Sequence, residues 1–198
     1  MKKLALILSI ISITIISCKQ KEKAPVIKYS IEPKSTTIKW TAFKTTEKIP
    51  VSGVFKTINI TNIKEAINTN DALDGLEFSI PVNSIDSKNE GRDAKLINSF
   101  FGSMKDTKNL TGKIHLEKNG KGNVSLKMNG ISKDFPISYV ISGQLAQIEA
   151  TIDLDNWEAK LAIDALNKVC FDKHKGADGI SKTWNEVKIN ITSYLKVK

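Results

Sequence analysis

The chain has 198 residues, 40% of them hydrophobic and 26% charged, with 30 Lys and Arg against 21 Asp and Glu for a net charge of +9. That length and composition suit one domain with a single core. The positive balance raises a nucleic-acid partner, but the lysines are scattered among alternating apolar positions instead of gathered in one block, which argues against it. Solubility near anionic lipid accounts for the charge equally well.

At the start, Lys2 and Lys3 precede the apolar run Leu4 to Ile16, the pattern of a secretory signal. As a helix this run would span roughly 20 Å at about 1.5 Å per residue, short of the ~30 Å hydrocarbon core, so a spanning helix is not expected. The next residues, Ile15-Ile16-Ser17-Cys18, resemble the lipobox of bacterial lipoproteins. The resemblance implies cleavage before Cys18 and acylation of its thiol and of the new amino terminus. Residues 1–17 are therefore read as the signal, 18–25 as a lipidated, charged and flexible spacer, and 26–198 as the folded domain. Several acyl chains, at about 0.8 kcal/mol per buried methylene, would hold such a protein stably at a membrane. It would then be an exported lipoprotein of the cell envelope facing the periplasm. Cys170 would be its remaining thiol, so no intrachain disulfide is expected even in an oxidising compartment.

Within the domain, alternating apolar positions predict eight half-buried strands. In order these are Ile38-Trp40-Ala42, Val51-Gly53-Phe55, Leu76-Phe78-Ile80-Val82, Leu110-Gly112-Ile114-Leu116, Val124-Leu126-Met128, Ile137-Tyr139-Ile141, Ile148-Ala150-Ile152-Leu154 and Val187-Ile189-Ile191. Asn119-Gly120 supplies the positive φ angles of a tight hairpin, and Asn129-Gly130 predicts a second turn. Helix is expected over Asn62 to Asn68, Glu90 to Met104 and Trp157 to Phe171. An antiparallel set of this size closes into a barrel or stacks as a two-sheet sandwich, and alternation alone does not separate the two.

The stretch from Ser84 to Phe101 is charged at first and ends in two phenylalanines. Ser87-Lys88-Asn89-Glu90 fits a capping box, with Asn89 as the alternative cap. Arg92 and Asp93 would point about 100° apart on a helix, so each should seek a separate partner and together anchor the segment at the barrel rim. Ser84-x-x-Ser87, Arg92-Asp93-x-Lys95-Leu96 and Phe100-Phe101 together resemble the YceI-like family of exported lipid- or polyisoprenoid-binding proteins. Ser87 and Lys95 depart from the Thr and His of that pattern. Ser35-Thr36-Thr37-Ile38-Lys39-Trp40, Gly53-Val54-Phe55 and Leu126 to Lys133 extend the likeness over most of the domain, while Asp155-Asn156-Trp157 departs from the Arg-x-x-Phe-Gly segment of many members. The resemblance implies an extended antiparallel barrel of about eight strands and lipocalin-like shape holding a long isoprenoid chain; that the protein performs no chemistry of its own is the reading of its few candidate catalytic residues.

Candidate lining residues for that ligand are Trp40, Phe55, Phe78, Ile80, Leu126, Met128, Ile148 and Ile152, with Phe100 and Phe101 closing one end. Hydrophobic transfer at about 0.8 kcal/mol per methylene would supply the affinity. Residues for catalysis are few. His115 alternates with Ile114 and Leu116 and so faces solvent, and Cys170-x3-His174 is the one spacing that raises a metal- or haem-associated redox role, without an evident third ligand. No catalytic residue, metal ligand or cofactor is assigned, and the sequence leaves monomer and homodimer open.

Overall fold

The structure, a computed structural model, describes residues 26–198; the signal segment, Cys18 and the spacer lie outside the described residues. Eleven strands form one antiparallel sheet: β1 (Tyr29–Ile31), β2 (Thr37–Lys44), β3 (Ile49–Phe55), β4 (Asn59–Thr61), β5 (Glu77–Pro81), β6 (Ile85–Asp86), β7 (Asn109–Leu116), β8 (Lys121–Met128), β9 (Ile131–Ser142), β10 (Leu145–Asp153) and β11 (Thr183–Val197). The order is β4-β5-β7-β8-β9-β10-β11-β2-β3-β6, with β1 on the far end of β11. A single sheet excludes the sandwich.

The sheet is forced to curl by its own connections. β4 is one margin of the path, yet only residues 56–58 separate it from β3, beside the other margin, and residues 82–84 likewise join β5 to β6. At no more than about 3.6 Å per residue, such links bring the two margins together. There the Lys56 N–H donates to the Ser84 carbonyl at 2.8 Å. The ladder does not close between β4 and β6, so the result is a curled half-barrel of ten strands instead of a sealed barrel.

All eight predicted strands are present. The three that alternation misses, β1, β4 and β6, have two or three residues each, too short to display a period. Both Asn-Gly turns form as expected: Asn119 and Gly120 have φ of 66° and 72°, Asn129 and Gly130 52° and 72°, the double-positive geometry that matches strand twist.

The helix expected over Asn62 to Asn68 is absent. Asn62 takes a positive φ of 56°, and Asn68 is the cap of the following helix α1 (Thr69–Leu73), its side chain accepting from the Asp71 N–H. Residues that bond their own backbone favour the cap over the helix interior, so the helix begins where the expected one was to end. Helix α2 (Glu90–Lys95), its continuation through Ser103, and helix α3 (Lys160–Val169) fall within the other two predicted segments. α1 packs on β1 and β7, whereas α3 packs on the continuation of α2 and on β11, so the helices cover opposite ends of the half-barrel.

Two cross-strand pairs decide how the interior is filled. Trp40 lies opposite Gly53, and Phe78 opposite Gly112. A methyl group at Gly53 would sit 2.5 Å from the Trp40 ring and 2.6 Å from the Asp86 carbonyl oxygen, and one at Gly112 would sit 2.6 Å from Phe78 Cζ and closer still to the Ser125 carbonyl oxygen. The missing side chains are the seats in which the rings lie against the wall. Gly112→Val should therefore lower stability by about 1–3 kcal/mol, the usual cost of forcing volume into packed space. Denaturant unfolding of the variant checks this, and an unchanged midpoint would mean that the ring and the neighbouring strand both give way without cost.

Candidate functional site: an apolar cavity in the half-barrel

Residues from all eleven strands leave an apolar cavity of about 210 Å³ inside the half-barrel. One ordered water needs roughly 10–15 Å³, so this is far larger than a packing defect. Its wall comes from alternate residues: Ile38, Trp40 and Ala42 on β2, Leu126 and Met128 on β8, Ile148, Ala150 and Ile152 on β10, Val187, Ile189 and Ile191 on β11. The period of two places all of them on one face. All ten of the sequence-predicted lining residues, Trp40, Phe55, Phe78, Ile80, Phe100, Phe101, Leu126, Met128, Ile148 and Ile152, lie on this wall.

Phe100 and Phe101 reach it together through a local change of helix type. After α2 the chain makes a π-helical turn over Leu96–Phe100 and a 3-10 turn over Phe101–Ser103. In an unbroken α-helix adjacent residues diverge by about 100°. The widened turn instead buries both rings, edge to face with centroids 4.9 Å apart.

The segment is held by its polar start. Asn89, the alternative cap, is the one used: its side-chain oxygen accepts from the Arg92 N–H at 2.9 Å. Ser87 instead donates to Asp93 Oδ1 from both its hydroxyl (2.6 Å) and its N–H (3.0 Å). Asp93 thus ties the helix to the end of β6. Arg92, expected to share the anchoring, makes no side-chain hydrogen bond or ion pair among the described residues, so Asp93 alone of the two anchors the segment. Asp86, at the close of β6, accepts from Lys88 and Lys56, and these hold its carboxyl well below the usual carboxylate range.

Just ahead of α3 lies a large buried residue that alternation does not single out. Trp157 is completely buried, donates from Nε1 to the Leu126 carbonyl at 3.0 Å and meets Phe135 edge to face. This is the segment that departs from the family pattern. At the opposite end the Tyr139 hydroxyl donates to the Glu117 carbonyl at 2.6 Å and accepts from Asn70 of α1. In the wall itself, Trp40 Nε1 is buried without an acceptor among the described residues, a local cost on the order of 1–3 kcal/mol.

The residues raised for metal or redox chemistry do not converge on a site. His115 is exposed and its Nδ1 lies 3.0 Å from Asp74. Cys170 is buried, and its carbonyl accepts from the His174 N–H. Among the described residues no group of three or more His, Cys, Asp and Glu side chains is placed to hold a metal. His174 is engaged elsewhere: its Nδ1 lies 2.6 Å from Thr183 Oγ1. Thr183 in turn donates to Asn167 Oδ1 at 2.9 Å, which uses its one proton, so the network assigns the donated hydrogen to His174 Nδ1.

A model of the YceI-like domain matches residues 29–194. The chain belongs to the YceI-like family. Among solved structures, it is similar to a polyisoprenoid binding domain from Saccharophagus degradans at 10% identity and a TM-score of 0.62, covering 86% of this chain and 98% of that one. Burkholderia cenocepacia BcnA aligns at 14% identity and a TM-score of 0.56, over 84% and 99% of the two chains. A Campylobacter jejuni YCEI protein aligns at 19% identity and a TM-score of 0.54, over 75% and 85%. At these identities the likeness concerns the fold. No curated protein matches the chain.

Burial first, then the positive charges of Lys44, Lys95 and Arg92, push the His174 pKa down from 6.5 to about 4. Between those values the unfolded chain takes up a proton that the folded chain refuses. Stability from this group is therefore complete above about pH 6.5 and is lost as the pH falls toward 4. Asp86, whose carboxyl is depressed, loses its contribution only at lower pH. His174→Gln should lose less thermal stability than the native protein between pH 7 and 4.5; equal losses would place the acid sensitivity in other groups.

Proposed function

We propose that the protein holds one long apolar chain, an isoprenoid or a similar lipid, inside the half-barrel and performs no chemistry on it. The observation that carries this reading is the cavity of about 210 Å³, walled by aliphatic and aromatic side chains and kept open by the aromatic-glycine pairs. Each methylene moved from water into such a wall contributes about 0.8 kcal/mol, so length and fit supply the affinity. The neighbour from Saccharophagus degradans, described as a polyisoprenoid binding domain, supports the same ligand class.

The setting of this function is read from the chain's first residues. Export, cleavage before Cys18 and acylation of that cysteine would tether the domain to a membrane, facing the periplasm, with residues 18–25 as the tether. Among the described residues no helix is long and apolar enough to cross a membrane. A tethered carrier, store or sensor of membrane-derived lipid fits this arrangement.

Ala150 lies on the cavity wall opposite Ile189 on β11, so a phenyl group there would occupy the space of two or three ligand methylenes. At about 0.8 kcal/mol each, Ala150→Phe should weaken binding of geranylgeraniol roughly ten- to fifty-fold, while the unfolding midpoint holds or rises. Titration followed by tryptophan emission measures this. Undiminished affinity in a folded Ala150→Phe protein would place the ligand outside the cavity.

A further inference from the structure

The chain enters the domain at an end that exposes apolar side chains. Val26, Ile27, Ile63 and Ile67 are 67%, 55%, 45% and 68% exposed, and Val197 at the close of β11 is 49% exposed. The backbone gathers them. Tyr29 pairs with Val197 on one side and with Ala66 on the other, the latter through N–H to carbonyl bonds of 2.7 and 3.0 Å. β1 therefore lies between the end of β11 and the segment that carries Ile63 and Ile67. Single exposed aliphatic residues are ordinary, but several held together on one end form a patch.

Lysines ring this patch. Glu65 is shared by Lys28 at 3.6 Å and Lys198 at 2.7 Å, and Glu32 accepts from Lys196 at 3.0 Å within the field of Lys34. Lys64, between Ile63 and Glu65, forms no ion pair among the described residues. The face thus keeps a positive excess even with a carboxylate at Lys198. Aliphatic side chains ringed by lysines match the headgroup layer of an anionic membrane, which takes up the first and attracts the second.

We infer that this end face, centred on Ile27, Ile63 and Ile67 and ringed by Lys28, Lys64 and Lys196, docks on the surface of an anionic bilayer. The patch stands on exposure and charge; the direction of approach rests on the tether proposed above, which arrives at the same face. Residues 18–25 reach at most about 29 Å, so an acylated Cys18 holds the β1 end close to the bilayer. Thr183, at the other end of β11, lies roughly 45 Å from Val197 along the strand and has no such constraint. Docking also brings the end of the cavity lined by Ile31 of β1 and Ile60 of β4 to the bilayer, the source of the lipid that the cavity is proposed to hold.

Hydrogen exchange of the full chain on vesicles tests the face. The N–H groups of residues 62–65, 67 and 68 donate to no backbone acceptor among the described residues, so they exchange freely in solution and report any cover. On vesicles of phosphatidylcholine with phosphatidylglycerol, amides 26–28 and 62–68 should slow at least about threefold, while those of loop 173–182 do not change. The slowing should shrink on pure phosphatidylcholine and at high salt. Ile27→Glu/Ile67→Glu should remove it and keep the native unfolding midpoint. Slowing that is equal at both ends of the domain, or equal on neutral and anionic vesicles, would overturn the docking face. Slowing without vesicles that grows with protein concentration would make the face an interface between copies, and would overturn it too. Protein that stays on the vesicles without any slowing would overturn the face and leave the tether standing; protein that stays off them would overturn both.

Discussion

The aromatic rings seated over glycines are the steric constraint on which the interior depends. Trp40 over Gly53 and Phe78 over Gly112 place two large apolar surfaces against the sheet instead of across its axis. Protein interiors normally close-pack, so a sustained void needs a reason for side chains not to fall into it. Here the reason is local: each ring already has its contacts in the space a Cβ would take, and the β-branched residues of β10 and β11 are too stiff to reach across. The curl of the sheet then follows from topology, because the three-residue links 56–58 and 82–84 pull its margins together.

The ends are held by polar bonds that use the chain's own backbone. Ser87 and Asp93 fix the start of α2, Trp157 hangs from the Leu126 carbonyl, and Tyr139 joins α1 to the turn between β7 and β8. None of these places a free polar group on the cavity wall, where the Trp40 Nε1–H is a donor without a partner among the described residues, so hydrophobic transfer is the main force available to a ligand inside it.

Much of this was legible in the sequence because it is written in periods. Alternation marked all eight long strands and, through the same parity, the wall residues from Trp40 to Ile152; Asn-Gly marked both hairpin turns. Strands of two or three residues carry no period, so β1, β4 and β6 escaped, and with them the links that curl the sheet. The segment Asn62 to Asn68 misled because its asparagines suit helix caps better than helix interiors. Spacing could not reveal the π-helical turn that brings Phe100 and Phe101 to the same wall. Arg92 is the clearest case: adjacent to Asp93 in sequence, it has a different place and no share in the anchor.

The central claim is that the cavity belongs to a lipid. Native extraction of the purified full chain, followed by mass spectrometry of the organic phase, tests it most directly. The account predicts a long-chain lipid in near-stoichiometric amount, with less of it retained by Ala150→Phe protein purified in parallel. Protein that is free of lipid, and stays so after incubation with isoprenoid alcohols and diphosphates, would contradict it.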